Sequence, residues 1–140
     1  MTVLSVDQDC SPEVAGMLGT SFALSISDIP WNGPIAGVQT GLIDGEIVIC
    51  PNEEQRKVSE LQLTVAGTQE KIVMIEAGAN QVKEDVMLEA IRRSHEEIKK
   101  MAAFIEGVQK EIGKEKRRRR YKTLVITISI QETVWLNLSR

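Results

Sequence analysis

The sequence predicts an α+β fold in which a mostly antiparallel β-sheet, built from two hairpins, is covered by helices. Three observations predict it. Residues 34–77 divide into four β-type runs, Asp44-Gly45 supplies the positive φ that a two-residue hairpin turn demands, and after Val82 the apolar spacing becomes helical.

Taken in order, residues 2–6 (TVLSV) form a short β-type run, with nothing before them to act as a neighbour. Ser11-Pro12-Glu13 then reads as a helix start: the serine can cap, proline suits the first turn, and the glutamate favours the positive end of the dipole. That helix is predicted to run to about Ser27, with Val14, Met17, Leu18, Ala23 and Leu24 as its apolar face, and Asp28-Ile29-Pro30 stops it. Trp31 to Pro34 makes a turn-rich connector.

The first hairpin is predicted over 35–43 and 46–50, around Asp44-Gly45. Residues 51–59 (PNEEQRKVS) are a polar surface segment with room for one helical turn. In the second hairpin Leu61, Leu63 and Val65 alternate with Gln62, Thr64 and Ala66, and a polar turn at 67–70 leads into the apolar run 72–75. From 82 to 112 a long amphipathic helix follows, its stripe formed by Met87, Ile91, His95, Ile98, Met101 or Ala102, Ile105, Val108 and Ile112. Glu89, Arg92, Arg93, Glu96, Glu97, Lys99 and Lys100 occupy the outer face, several at ion-pair spacing, and Gly113 ends the helix.

Composition sets bounds on function. With 140 residues, 42% apolar and 4% aromatic, one modest core of aliphatic side chains is expected. The net charge of -3 is unevenly spread: residues 1–113 carry 9 basic and 18 acidic side chains, and residues 114–140 carry 8 and 2. Cys10 and Cys50 match no metal-ligand spacing and read as reduced thiols, no apolar run is long enough for a membrane span, and no secretory signal opens the chain, so a cytoplasmic location is expected.

Residues 2–117 resemble polynucleotide phosphorylase, the enzyme that degrades RNA from its 3′ end with inorganic phosphate. The resemblance is carried by TVLSVDQD at 2–9, SISDIPWNGPIAGVQTGLIDGE at 25–46, LTVAGT at 63–68 with the following IVMIEAGA, and EDVMLEAI with His95 downstream. It implies two ribonuclease-PH-like cores in tandem, an all-helical segment between them and RNA-binding modules after them. Residues 1–30 then correspond to a strand and helix of the S5-like opening half of the first core, 34–80 to its closing ribonuclease PH domain 2-like sheet, and 81–113 to the long helix leading toward the helical segment. Residues 114–140 match nothing in the family's pattern. The family continues there with acidic helical sequence, so residues from about Arg118 are expected to be out of the parent's reading frame and Met1 to be internal to the parent gene.

The resemblance attributes phosphorolysis to the second core, and this chain resembles the first. In the catalytic copy a serine-rich helix start holds phosphate, an aspartate holds magnesium and a lysine two residues later neutralises developing charge. Here the corresponding residues are Ser11-Pro12-Glu13, Gln62 and Thr64. Phosphate is expected to be disfavoured, no catalytic, cofactor or metal residue is carried over, and the magnesium of the intact family has no ligands here.

The other candidates read as structural. His95 is expected to be a satisfied, half-buried residue, Asp7 and Asp9 to point apart, Gly19 to Ser21 to lie inside a helix, and Trp31 to anchor packing. Only Arg117, Arg118, Arg119 and Arg120 suit nucleic acid, through phosphate charge. The expected function is an RNA-path core of a 3′-to-5′ phosphorolytic exoribonuclease without its own active site, reaching RNA through the parent enzyme and associating as an oligomer, a trimer in the family. Two alternatives are a stand-alone, non-catalytic interaction module and a basic-tailed RNA-binding protein.

Overall fold

A computed structural model describes residues 2–7, 9 and 11–117. Seven elements follow in order: α1 (Pro12–Ile26), β1 (Ala36–Ile43), β2 (Glu46–Ile49), α2 (Glu53–Val58), β3 (Leu61–Gly67), β4 (Ile72–Ala79) and α3 (Glu84–Ile112). The strands form one sheet in the order β2-β1-β3-β4, every neighbour antiparallel. Both predicted hairpins are present, and Asp44 and Gly45 take φ of 51° and 80°, the left-handed pair the turn requires. The polar segment after β2 holds α2, closed by a capping box in which Asn52 and Gln55 exchange side-chain and backbone bonds.

Strand alternation divides the sheet into two faces. Val38, Thr40 and Leu42 of β1 stand opposite Val65, Leu63 and Leu61 of β3. This face packs under α3, whose Ala90, Ser94 and Ile98 are fully buried. Ser94 Oγ donates to Ala90 O at 2.7 Å, so its remaining contact, 2.7 Å from Thr40 Oγ1, is one in which the threonine donates. Sheet and helix are thereby stitched at one buried polar point.

α1 lies on the opposite face. A Cβ on Gly37 would collide with the Met17 sulfur, so a larger residue there would require the Met17 side chain to move aside. Beyond the start of β1 the two helices meet directly, with Phe22 and Phe104 edge to face at 6.0 Å.

Four expectations are corrected. Residues 2–6 form no strand; they run exposed, Leu4 at 94%, because no neighbouring strand among the described residues pairs with them. Ser11 occupies the N-cap of α1, yet its side chain makes no capping bond. The predicted apolar face of α1 is displaced: Ser21 and Ser25 are buried while Ala23 is exposed, since the close approach to β1 selects small side chains and Ser21 Oγ accepts the Ile35 N–H at 3.1 Å. The stripe on α3 shows the same substitution of size for hydrophobicity, with Ala90 and Ser94 buried and Ile112 exposed.

Gly113 does end α3, but at φ -69°, outside the left-handed region; glycine is needed because a Cβ would meet the Gln109 carbonyl oxygen. The chain then runs back along the end of α1. Lys114 N–H donates to Ile26 O, and Lys116 Nζ reaches the carbonyls of Leu24, Ser25 and Ser27 at 2.7 to 2.9 Å. A lysine thus satisfies carbonyls that the helix end leaves without intrahelical partners.

Candidate functional site

The face of the sheet away from α3 is incompletely covered, and the N-terminus of α1 stands over it. There Glu13, Gln62, Thr64, Glu76, Ala77 and Gly78 line a cavity of about 310 Å³. Gln62 and Thr64 share this face because they alternate with the buried Leu61, Leu63 and Val65, and Glu76 joins them because it stands directly opposite Thr64 in the β3–β4 register. The structure therefore brings together Glu13, Gln62 and Thr64, three residues from separate stretches of sequence.

The chemistry of this cavity is acidic and neutral. Pro12 lies in the first turn of α1 and contributes no N–H, and Glu13 adds charge where an anion would otherwise be favoured. Glu76 adds a second carboxylate; the signal for it was its place four residues into β4, legible only once the register with β3 is known. No basic side chain lines the cavity. The donor set does not fit a metal ion paired with phosphate: the carboxylates repel the anion, and Gln62 and Thr64 offer only neutral oxygens. No cluster of three or more His, Cys, Asp or Glu side chains suited to a metal occurs among the described residues.

A second cavity of about 260 Å³ adjoins the first through Gln62. Gln39, Glu53, Arg56, Lys57 and Ser59 line it, Lys57 paired with Glu53 at 2.7 Å, on the same sheet surface that carries Glu13 and Glu76. Sequence reasoning passed over Gln39 and Arg56, because a glutamine in an apolar strand and an arginine in a polar segment carry no motif.

His95 is half-buried and its Nε2 donates to Thr68 O at 3.1 Å, tying the second hairpin turn to α3. Asp7 accepts the Asp9 N–H at 3.0 Å, and the Asp9 carboxylate faces the Glu53 N–H at the start of α2. Gly19 to Ser21 lies inside α1, and the Trp31 ring sits against Gly33. Cys50 is exposed and free, while Cys10 lies outside the described residues. Arg117 is exposed and pairs with Asp28 across the α1 exit; Arg118, Arg119 and Arg120 lie outside the described residues. No helix among the described residues is long and apolar enough to cross a membrane.

With this geometry in place, the comparisons decide the family. Residues 33–97 match the family described as "3′ exoribonuclease family, domain 2". This stretch belongs to that family. It contains all four strands and the first part of α3. Over 115 residues the chain is 63% identical to the polyribonucleotide nucleotidyltransferase of Ruminiclostridium cellulolyticum and 58% identical to that of Clostridioides difficile, covering 82% of this chain and 16% of each relative. The match to the enzyme of Caldicellulosiruptor saccharolyticus, 53% identical, covers 133 residues and so extends past Arg117. The chain thus corresponds to a segment of that enzyme, about one sixth of its length. Among solved structures, rice (Oryza sativa) Rrp46 superposes with a TM-score of 0.66 over 75% of this chain and 51% of its own, at 14% identity, and shares the fold.

Proposed function

We propose that this chain is an architectural segment of a 3′-to-5′ phosphorolytic exoribonuclease, a core that helps to form the RNA path and has no active site of its own. The observation that carries the reading is the composition of the cavity under α1. At the positions where the family resemblance places a metal-binding aspartate and a charge-neutralising lysine stand Gln62 and Thr64, and they face Glu13 and Glu76. A phosphorolytic site has to hold inorganic phosphate beside the scissile phosphodiester, and two carboxylates with no lining cation oppose that.

The test is to incubate the purified chain with single-stranded RNA and inorganic phosphate, with and without magnesium, and to follow nucleoside diphosphates. No release above the protein-free control is expected. Release dependent on phosphate overturns the reading.

A second reading is favoured by the free edge of β4, where Val73 and Ile75 remain 59% and 49% exposed. Such an edge offers a template for another strand, so the chain would act as a structural subunit beside a full-length phosphorylase in an oligomer. Co-elution with the intact enzyme supports this; elution apart at micromolar concentration removes it.

A further inference from the structure

A groove of about 710 Å³ lies along the exposed side of α1, between that helix and residues 2–5. Val3 and Leu4 stand on one wall, Ala15, Gly19, Ala23 and Leu24 on the other, and no charged side chain lines it. A Cβ on Gly19 would meet nothing within 4 Å, so the helix wall is open as well as apolar. Apolar surface left facing water is unfavourable in proportion to its area, and an apolar occupant relieves that cost.

The other wall lacks hydrogen bonds. Residues 2–6 have the side chains of a strand, yet none of their backbone N–H or C=O groups is bonded to another backbone group among the described residues. They amount to one strand of a pair. The described chain also ends close by. Lys116 Nζ donates to Leu24 O at 2.7 Å and Arg117 N–H to Asp28 O at 2.8 Å, so the chain departs at the end of the groove that Leu24 lines. Residues 118–140 lie outside the described residues. In their sequence Leu124, Ile126, Ile128 and Ile130 are separated by Val125, Thr127 and Ser129, the alternation of a strand with one apolar face.

We propose that residues 123–130 of this chain seat in the groove, pairing their backbone with residues 2–6 and laying Leu124, Ile126, Ile128 and Ile130 against the small side chains of α1. The lengths agree: eight residues at about 3.3 Å each span about 26 Å, and the 15 residues of α1 at 1.5 Å each span about 22 Å. Arg118, Arg119, Arg120 and Lys122 fall in the connection at 118–122, so no charge has to enter the apolar lining. A tethered strand also arrives at high effective concentration, which favours it over a second copy. The proposal does not involve RNA, and it stands whether or not the RNA-path reading does.

The experiment is nuclear magnetic resonance of the full-length chain, reading amide exchange at residues 3–5 and methyl–methyl contacts, at two protein concentrations and in a sample of mixed isotopic labelling. Exchange at residues 3–5 is expected to be slower by about tenfold or more than in the double variant Ile126→Asp/Ile128→Asp, while β3 keeps its protection in both. Methyl contacts of Ile126 or Ile128 with Ala15 or Ala23 are expected within one molecule. The tail substitutions lie outside the described fold, and the reciprocal Ala23→Lys, at an exposed helix position, should release residues 3–5 to the same extent. Unchanged exchange at residues 3–5 in either folded variant overturns the proposal. So does protection that rises with protein concentration, with methyl contacts only between differently labelled copies, which assigns the groove to a second copy. Protection that appears only when full-length phosphorylase is added assigns the groove to that enzyme and overturns the proposal as well.

Discussion

On the α3 side of the sheet, Val38, Leu42, Leu61, Leu63 and Val65 are covered to within a few per cent, and the buried polar contact there, Thr40 to Ser94, is fully bonded. On the other side Gln62 is exposed, Thr64 is half-buried, Gln39 lines a cavity, and two cavities open against α1 and α2. The same four strands supply both faces. The difference teaches that one face is spent on cohesion, while the other keeps polar side chains at the walls of open cavities.

The contrast breaks most visibly under core truncation. Leu63 has no exposure, so Leu63→Ala should cost about 2 to 5 kcal/mol in denaturant titrations, whereas Thr64→Ala, one residue along on the other face, should cost less than about 1. Equal costs would erase the distinction. Next in size, Lys116→Met removes a charged donor from three carbonyls and should cost about 1.5 to 3 kcal/mol. Amide exchange should quicken in α1 while β3 keeps its protection. Thr40→Val should cost about 1 kcal/mol, because Ser94 retains its bond to Ala90 O and loses only the threonine donor. The smallest effect concerns pH. The hydrogen bond from Lys99 lowers the Glu96 pKa below its ordinary 4.5, so any contribution is present above that value and fades as pH falls through the lowered one. Glu96 is exposed, and Lys99→Ala should leave the acid-unfolding midpoint unchanged within error.

Much of the fold was legible because hairpin chemistry and helical period are local signals. Asp44-Gly45 announced its turn, and the charged face of α3, read as carrying several side chains at ion-pair spacing, pairs Glu89 with Arg93, Glu96 with Lys99 and Glu97 with Lys100. What escaped depends on distant partners. Burial of Ser21, Ser25 and Ser94 follows from close helix approaches that no hydrophobic pattern encodes. Residues 2–6 have strand composition without a strand, since pairing needs a second edge. For the site, family resemblance placed Gln62, Thr64 and Glu13 together, while Glu76, Arg56 and Gln39 became visible only through register and the position of α2.

The hold of Lys116 on the end of α1 also bears on how the molecule is made. The carbonyl of Ser25 waits for an ammonium group encoded 91 positions later. During synthesis the first helix must emerge, and remain hydrated at its trailing end, until nearly everything described after it has left the ribosome. Its final anchoring is therefore a late event in the life of the nascent chain, and a product released before that lysine would carry a helix with a loose end.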